Sequence, residues 1–567
     1  PAAIGFARSK GLDISELVTK PLDGGEYLVA EVHEKGKTVT EILPVKLKEL
    51  IAGIHFNKPM HWNESGISFS RPIRWLVSMY GQSMIPFSYA GLTAGNTTRG
   101  LRFSNAEEFE IEKAEDYFKY LSAQGIILNS TERKETIGKQ VKHLLSSIKA
   151  SSDIDEKLLA EVSNLVEAPT SLLGNFSPSH LELPTEVLVG VMKKHQRYFP
   201  VYDQKGSLSA HFITVRNGND QYLDIVAHGN EEVIEARFAD AVFFMREDSR
   251  KELSEFIPKL DSLIFHPKLG SMLDKSKRIE KLTKKISPDL GLSKDEQKTA
   301  LRAASLCKAD LVTNMVVEMT SLQGTIGKYY ALKAGEAAET AQAIEDHYLP
   351  RQAGGKSPAS KTGLVVGSAD RLDSLVGLFS VDMAPTGTKD PFGLRRAALG
   401  LVQNLIKWDI DFDIFESLKI ASSFQPVPVS ANQLDACMEF ITGRLKNMLL
   451  DDGYRYDVVN AVLAQQGRNP SAALKAIIQL NKWVDADTWK EILPAFSRCV
   501  RITRDLKETF KIKENKLTMN EEKILLASAE KASQAIIKKP SIDEFLTQIE
   551  QMVPEINTFF DNLLVMD

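Results

Sequence analysis

The segment GGKS has the residue types of a phosphate-binding loop. Such a loop needs the pattern G-x-x-x-x-G-K-[ST], entered from a strand and left through a helix whose amides face the phosphates. Gly355, Lys356 and Ser357 fit, but Pro350 stands where the first glycine is required, and proline has a fixed φ and no N–H. Pro358 also biases Ser357 away from helical geometry. The sequence therefore predicts an exposed loop here rather than an ATP site.

Three further side chains occur in the order typical of HD-domain phosphohydrolases. Such an enzyme needs one histidine, then an adjacent His-Asp pair, then a final aspartate, which hold a metal that activates water. His266, Asp310 and Asp370 fit this order, but Ala309 stands where the second histidine is required. Ionised carboxylates in apolar helices need partners, and nearby arginines could supply them: Arg371, Arg395 and Arg396. We predict an HD-like fold with no bound metal, and a metal-dependent phosphohydrolase is the alternative.

Two basic stretches could contact RNA. In MKKHQRYFPV, Lys193, Lys194, His195 and Arg197 adjoin Tyr198. Cations interleaved with aromatic rings suit RNA, because phosphates attract charge and unstacked bases need a flat surface. The alternative is a solvated helix end with Tyr198 and the following phenylalanine in the core, and composition favours neither.

The second stretch is FSRCVRITRDLKETFK, which predicts an amphipathic helix. One face of this helix carries the apolar residues Phe496, Cys499, Val500, Leu506 and Phe510. Arg498, Arg501 and Arg504 come out on the opposite face at spacing three. Three outward arginines suit a nucleic-acid backbone, although a charged face is more often simply solvated.

A third basic stretch, MLDKSKR at residues 272–278, has the residue types of a mobile catalytic lysine loop. The histidine-rich signature beside which such a loop works is missing upstream. We therefore predict an exposed cationic helix start.

Bulk composition limits the class of protein. The 567 residues are 43% hydrophobic and 26% charged, values of a globular protein with three or four domains. No apolar run reaches the 18 or so residues of a membrane span. Cys307, Cys437 and Cys499 are far apart, which favours a reducing compartment and argues against structural zinc. The net charge of −5 excludes a global attraction to nucleic acid. We also expect the chain to be incomplete at both ends.

The elements that must position these residues change character along the chain. Residues 1–255 mix helices with segments that predict strands, such as EYLVAEVH, HFITVRNG and AVFFMRED. After that, strand patterns nearly vanish. EQKTALRAASLCKADLVTNMVVEMTSLQG predicts one long buried helix, and a second buried helix surrounds Asp370. We predict a multidomain α+β protein with a mixed α/β body over 1–255 and helical domains over 256–410 and 411–567.

Several stretches together resemble one family. FSRPIRW, MKKHQRYFPV, GNEEVIEARFADAVFF, KLGSMLDK, GSADRLDSLVGLF and KDPFGLRRAALGLVQ are similar to segments of the beta subunit of bacterial-type heterotetrameric glycyl-tRNA synthetase. The likeness extends over the chain in the family's order. The plastid form, in which alpha and beta regions are fused, has the same sequence type.

The resemblance implies a division of labour. ATP, Mg²⁺ and glycine would bind the class II core of an alpha subunit in an alpha2beta2 complex, while this chain would bind tRNA(Gly) and carry neither cofactor nor catalytic residue. It implies a body similar to the B3/B4 region of phenylalanyl-tRNA synthetase, an HD-like domain, and an anticodon-binding domain like that of arginyl-tRNA synthetase, truncated at its end. It also strengthens the prediction of tRNA contacts at Arg498, Arg501 and Arg504. The location would be the bacterial cytoplasm or the plastid stroma.

Overall fold

The computed structural model describes residues 2–22, 25–32, 36–102, 108–505, 508 and 511–563. The chain divides into two compact units. The first unit comprises residues 1–178 and 192–234, and the second comprises residues 179–191 and 235–567. In the described part of the chain, no helix is both long and apolar enough to cross a membrane.

The first unit contains a three-stranded antiparallel sheet. Leu208–Asn217 is the central strand, and Pro169–Asn175 and Phe199–Tyr202 pair with it on either side. Two helices pack with this sheet, Ser130–Ser147 and Glu156–Leu165. Asparagine and aspartate side chains cap their first turns, since Asn129 and Asp155 each accept two backbone N–H groups. The shared core is apolar and includes Ile137, Val141, Val162, Phe199 and Ile213.

The remaining elements of the first unit are short helices and hairpins. The helices are Ala2–Ser9, Val39–Ala52 and Asp116–Ala123. The two-stranded pairs are Leu17–Leu22 with Gly25–Ala30, Met60–His61 with Ser68–Phe69, Met79–Tyr80 with Ser83–Met84, Ser88–Tyr89 with Leu92–Thr93, and Thr97–Arg99 with Glu108–Glu110. The predicted strands EYLVAEVH and HFITVRNG are confirmed.

The second unit is almost wholly helical. Its α-helices after residue 250 are Met272–Ile286, Lys294–Leu306, Asn314–Glu318, Thr325–Lys333, Ala338–Asp346, Lys361–Ser380, Leu394–Lys407, Ile414–Ser422, Ala431–Asp451, Tyr456–Gln466, Pro470–Val484, Trp489–Thr503, Asn520–Lys538 and Ile542–Asn562. The described strands there form one short pair, Ile264–His266 with Gly270–Ser271. The loss of strand patterns in this part of the sequence was thus a correct prediction.

One helix organises the second unit. Lys361–Ser380 is buried along most of its length, and it packs against Met272–Ile286, Lys294–Leu306, Ala338–Asp346 and Leu394–Lys407. A helix that is apolar nearly all round has to be enclosed by others. The predicted buried helix around Asp370 is confirmed, and its few charged side chains must find partners inside the protein.

Two predicted elements are wrong. AVFFMRED is the end of the helix Leu223–Asp248, not a strand. Its buried side chains, Ile234, Phe238, Ala241 and Met245, recur at spacings of three and four, so the helical period outweighs the β-forming residue types.

The segment predicted as one long helix is broken after Leu306. Short helical pieces follow, namely Ala309–Val312, Asn314–Glu318 and Thr320–Leu322. Thr313 caps the middle piece by accepting the N–H of Val316. A side chain that competes for backbone N–H groups in this way ends one helix and starts another. Most apolar side chains of the segment are nevertheless buried, although Val317 is 66% exposed.

Candidate nucleic-acid contacts and a buried ion-pair cluster

The second unit contains a buried cluster of ion pairs between two helices. Asp370 and Asp373, at spacing three on Lys361–Ser380, face Lys275 and Arg278, at spacing three on Met272–Ile286. Lys275 Nζ lies 2.8 Å from Asp370 Oδ1 and 3.1 Å from Asp373 Oδ2. Arg278 Nε lies 2.6 Å from Asp373 Oδ1. All four side chains are at most 16% exposed, so they act as structural ion pairs in low dielectric.

The prediction for MLDKSKR is confirmed for the helix start, which falls at Met272, and is wrong about the exposure of its cations. Lys275 and Arg278 are 3% and 6% exposed, so this is not an exposed cationic helix start. Ser271 caps the helix and accepts the N–H of Asp274. The spacing of three puts each pair of charges on one face of its helix, but nothing local to either segment shows that the two faces meet.

A second lysine and a histidine complete the cluster. Lys308 Nζ lies 2.7 Å from Asp370 Oδ2 and 3.0 Å from His347 Nε2. His347 Nδ1 lies 2.6 Å from the carbonyl oxygen of Ile344. Burial, and then the charge of Lys308, hold the pKa of His347 well below its usual range. A neutral His347 donates from Nδ1 to the carbonyl and accepts from the ammonium at Nε2.

Asp370 is the anion at the centre of this cluster. Burial alone would raise its pKa, but the ammonium groups of Lys275 and Lys308 outweigh burial and hold the pKa well below its usual range. The partners are thus two lysines, whereas the sequence suggested the nearby arginines. Arg371 instead donates to the carbonyl oxygens of His347 and Leu349.

Asp310 lies close by but has different partners. Its Oδ2 accepts the backbone N–H groups of Gly324 and Gly327, the second at 3.2 Å. It is completely buried, and burial raises its pKa to about 6 although these N–H groups oppose the shift. Asp310 therefore fixes the turn that leads into Thr325–Lys333.

The HD-like triad does not form a metal site in the described residues. His266 lies in the short hairpin, where its Nδ1 accepts the N–H of Lys268. Asp370 is ion-paired with two ammonium groups, and Asp310 accepts from backbone amides. No group of three or more His, Cys, Asp or Glu side chains in the described ranges is placed to hold a metal. The donor set fits ammonium partners and does not fit a metal ion.

The first basic stretch, around residue 195, has mixed exposure. Tyr198 is 3% exposed, its ring stacks on Phe212 with centroids 4.5 Å apart, and its hydroxyl donates to Asn230 Oδ1 at 2.6 Å. Burial raises its pKa to about 12. Phe199 is fully buried. Both aromatic side chains lie in the core, which was the alternative to RNA contact. Tyr198 therefore presents no face on which a base could stack.

The cations of the same stretch lie at the surface of the first unit. Lys193 Nζ lies 3.5 Å from Asp155 Oδ2, and Arg197 Nε lies 2.9 Å from Glu161 Oε1. Lys194 is exposed, and no acidic side chain of the described residues lies within ion-pair distance of it. His195 is half-buried. Of the candidate residues in this stretch, Lys194 is the one whose charge is most available to a phosphate.

The first half of the second basic stretch lies in the helix Trp489–Thr503, as predicted, but this helix ends before Arg504 and its apolar face is rotated. Ile492 and Ala495 are buried, whereas Val500 is 42% exposed. Leu506 and Phe510 lie outside the described residues. As a result, Arg498 stands at the edge of the core rather than opposite it. Its Nη2 donates to Asp561 at 2.9 Å, and its guanidinium lies 4.9 Å from the centre of the Phe560 ring.

Arg501 and Arg504 are exposed. Arg504 Nε lies 3.9 Å from Asp505 Oδ1, and no described acidic side chain lies within ion-pair distance of Arg501. Arg498 therefore joins two helices, whereas Arg501 and Arg504 lie at the surface, where a partner can reach them. The three arginines do not act alike.

The GGKS loop is the last candidate. Lys356 is exposed, and the loop leads into the helix Lys361–Ser380, where Ser360 accepts the N–H of Gly363. The helix Ala338–Asp346 precedes the loop, so a helix rather than a strand enters it. This confirms the prediction that the segment is an exposed loop and lacks the strand-to-helix geometry of a phosphate-binding loop.

Comparison with known proteins identifies the family of the chain. The family model described as "Glycyl-tRNA synthetase beta subunit" matches residues 1–464. The glycine–tRNA ligase beta subunit of Moorella thermoacetica is 38% identical over 100% of this chain and 83% of its own length. That of Bacillus subtilis is 39% identical over 89% of this chain and 73% of its own length.

A chloroplastic/mitochondrial glycine–tRNA ligase of Arabidopsis thaliana is also 38% identical over 100% of this chain, which covers 53% of the plant protein. The matches define a component of an aminoacyl-tRNA ligase. The chain belongs to the glycyl-tRNA synthetase beta subunit family, and its role is that of a beta subunit in the glycylation of tRNA.

Proposed function

We propose that this chain holds tRNA(Gly) for a partner alpha subunit, whose class II active site attaches glycine. The observation that carries the proposal is similarity over the whole chain to proteins named beta subunits of glycine–tRNA ligase. The exposed cations Lys194, Arg501 and Arg504 support it, because sequence-independent contact with tRNA is made mainly through phosphates.

In this proposal, the chemistry belongs to the partner. ATP and Mg²⁺ bind at the alpha subunit, where glycine and ATP give glycyl-adenylate, and the glycyl group then passes to the terminal ribose of the tRNA. The beta chain positions the tRNA. Holding the acceptor end beside the adenylate makes a bimolecular transfer effectively intramolecular, which can lower the barrier substantially.

The proposal assigns a task to each predicted domain. Residues 411–567 grip the anticodon through Arg501 and Arg504, and Arg498 keeps this helix packed on Ile542–Asn562. Residues 1–255, the B3/B4-like body, contact the tRNA through Lys194 and its neighbours. Residues 256–410 form the HD-like domain, in which lysines replace metal ions as partners of Asp370. The assembly is alpha2beta2, in the bacterial cytoplasm or the plastid stroma.

The test is aminoacylation of tRNA(Gly) by the alpha subunit with and without this chain. We expect glycyl-adenylate formation by the partner alone and full charging only when the chain is added. A tRNA(Gly) with an altered anticodon is the control and should bind this chain more weakly. Formation of glycyl-adenylate by the purified chain alone would contradict the proposal.

Two rivals predict different results. A phosphohydrolase would release phosphate in the presence of metal and lose that activity in Asp310→Ala. A helical scaffold would be required for charging but would not bind isolated tRNA at low salt. Direct tRNA binding without phosphate release separates the proposed role from both.

A further inference from the structure

A cavity of about 490 Å³ opens beside the ion-pair cluster in the second unit. Its floor is the helix Lys361–Ser380, which contributes Asp370 and Arg371. Its walls are the segment after Ala338–Asp346, with Tyr348 and Arg351, and the first turn of Leu394–Lys407, with Arg396. Cavities of this size take small molecules.

The cavity contains a surplus of positive charge. Three guanidinium groups line it, those of Arg351, Arg371 and Arg396. Its one carboxylate, Asp370, lies 2.8 Å from Lys275 and 2.7 Å from Lys308, so that charge is already compensated. Among the described residues, no acidic side chain lies within ion-pair distance of any of the three arginines.

Carbonyl oxygens, which carry no formal charge, hold two of these arginines. Arg371 donates to the carbonyls of His347 at 2.9 Å and Leu349 at 2.8 Å, and Arg351 donates to that of Gln323. Burial lowers the pKa of Arg371 only to about 10, so it remains charged at neutral pH. Carbonyl partners fix the guanidinium groups in place without neutralising them, which leaves their charge for an anion.

The arrangement does not depend on a helix N-terminus. The first N–H groups of Leu394–Lys407 are taken, because Asp390 accepts those of Leu394 at 2.8 Å and Arg395 at 2.9 Å. Side chains are therefore the donors in this cavity. Guanidinium groups bind phosphate oxygens through paired, charge-assisted hydrogen bonds.

The cavity has room for more than a phosphate. The Tyr348 ring forms one wall, and its buried hydroxyl has no hydrogen-bond partner in the described part of the chain. Phe392, also a lining residue, is 38% exposed. Lys308 Nζ and the Arg351 guanidinium already lie 4.2 Å and 5.2 Å from the centre of the Tyr348 ring, so the exposed Phe392 ring is the one offered to a nucleic-acid base. The buried helix Lys361–Ser380 closes the floor, which suits a phosphate at the end of a molecule better than one within a continuous chain.

We infer that this cavity binds the terminal phosphate of a nucleotide, held by Arg351, Arg371 and Arg396. The nucleotide is either free or the phosphorylated end of an RNA chain, and only the second source rests on the proposed function. Binding occurs without cleavage, because the ammonium groups on Asp370 leave no free carboxylate for a metal.

The first experiment is calorimetric titration of the full chain with AMP, adenosine and inorganic phosphate. We expect saturable binding of AMP, competition by inorganic phosphate, and no binding of adenosine. Equal binding of AMP and adenosine would overturn the inference, because the base alone would then account for affinity.

Variants test the arginines. Arg351→Gln and Arg396→Gln should each weaken AMP binding by about tenfold, the usual effect of losing a charge-assisted bond. Arg396→Lys should retain part of the affinity. Arg455→Gln, which removes an exposed charge paired with Asp457 and Asp485, is the matched control and should bind as the parent does. Circular dichroism and thermal unfolding confirm that each variant is folded.

The second arm identifies the source. If the end of an RNA is the ligand, tRNA with a 5′-phosphate should bind more tightly than the same tRNA with a 5′-hydroxyl, and Arg396→Gln should abolish the difference. If AMP binds but the 5′-phosphate does not change tRNA binding, the ligand is a free nucleotide. Absence of both effects overturns the inference, and tRNA binding that persists in that case leaves the proposed function standing.

Discussion

At the scale of single residues, the buried cluster shows how charge is accommodated in an apolar helix bundle. Asp370 has two lysines as partners, and Asp373 has Lys275 and Arg278. Removing charges from water is costly, and breaking such a pair leaves an uncompensated buried charge. Each cation in the cluster should therefore be far more sensitive to substitution than a surface cation.

Lys308→Met tests this sensitivity. The substitution leaves Asp370 with one cation fewer and His347 without its donor, so the free energy of unfolding should fall by about 3 kcal/mol. Urea denaturation measures the change. Lys298→Met, which removes an exposed lysine beside Asp295, is the control and should not alter the urea midpoint.

The double variant Lys308→Met with Asp370→Asn checks the cause. If the loss in Lys308→Met comes from the weaker compensation of the Asp370 charge, which keeps only Lys275, neutralising Asp370 as well should recover part of it. If the double variant instead loses as much unfolding free energy as Lys308→Met and Asp370→Asn lose together, the cluster contributes through packing.

Asp310→Asn tests the pKa of the buried carboxyl. The folded-state pKa of Asp310 is about 6, above the unfolded value of roughly 3.9. The protonated native form is therefore favoured, and the stability that it contributes falls as pH rises from about 4 to about 6. The side chain in Asp310→Asn does not titrate. Relative to this variant, the free energy of unfolding of the parent should fall by at most about 3 kcal/mol over this pH range.

The measurement is the urea midpoint of both proteins between about pH 4 and pH 7. The two curves should separate with rising pH and then become parallel above about pH 6. Curves that stay parallel throughout would contradict a raised pKa of Asp310.

How far the sequence could predict these residues depended on distance along the chain. The need of Asp370 for cationic partners followed from its apolar surroundings, but the partners lie on segments 62 and 95 residues away, which no local pattern specifies. The arginines beside it in sequence were the natural choice and were wrong. Tyr198 could not be assigned because a buried and an exposed ring have the same local composition.

At the scale of elements, close helix packing depends on residues without a side chain. A Cβ atom at Gly363, near the start of Lys361–Ser380, would lie 2.3 Å from Asp346 Cβ. Asp346 cannot move aside easily, since its Oδ2 accepts from the N–H of Ser360 at 2.7 Å and from its hydroxyl at 2.8 Å. Helix and loop are fixed together at this point.

Gly363→Ala should therefore destabilise the protein by about 1–3 kcal/mol, the usual cost of overpacking. Gly443→Ala is the matched control in the helix Ala431–Asp451, where a Cβ would meet nothing within 4 Å. It should stabilise by about 0.5–1 kcal/mol, because alanine favours the helix over the unfolded chain. Thermal unfolding measures both, and shifts of the same sign would refute the packing argument.

Elements with a clear period were predictable, and those decided by tertiary contacts were not. Leu208–Asn217 and Lys361–Ser380 followed from alternation and from an all-round apolar pattern. AVFFMRED was predicted as a strand because its aromatic residues favour strands. The buried residues Phe238, Ala241 and Met245 nevertheless recur at helical spacing. The break after Leu306 depends on Thr313, Gly324 and Asp310 meeting in space.

At the scale of the whole molecule, the family follows from motifs spread over the full chain, while the three-domain division stays a prediction. The exposed cations on different parts of the chain should contribute to tRNA binding through charge. Their effect is then sensitive to salt in a predictable way.

The double variant Arg501→Gln with Arg504→Gln should bind tRNA(Gly) more weakly, and the slope of log affinity against log salt should decrease by about one per lost phosphate contact. In charging assays with the alpha subunit, KM for tRNA should rise while kcat changes little, because binding rather than chemistry is affected. Arg455→Gln is the control. An unchanged salt slope would remove these two arginines from the interface.

The matched spacing of Lys275 and Arg278 with Asp370 and Asp373 has a consequence for descent. A change at any one of the four alone leaves at least one buried, oppositely charged group with one partner fewer, so single steps away from this arrangement are selected against. We expect related proteins to keep all four residues together. Where the charges are reversed, we expect the reversal on both helices at once.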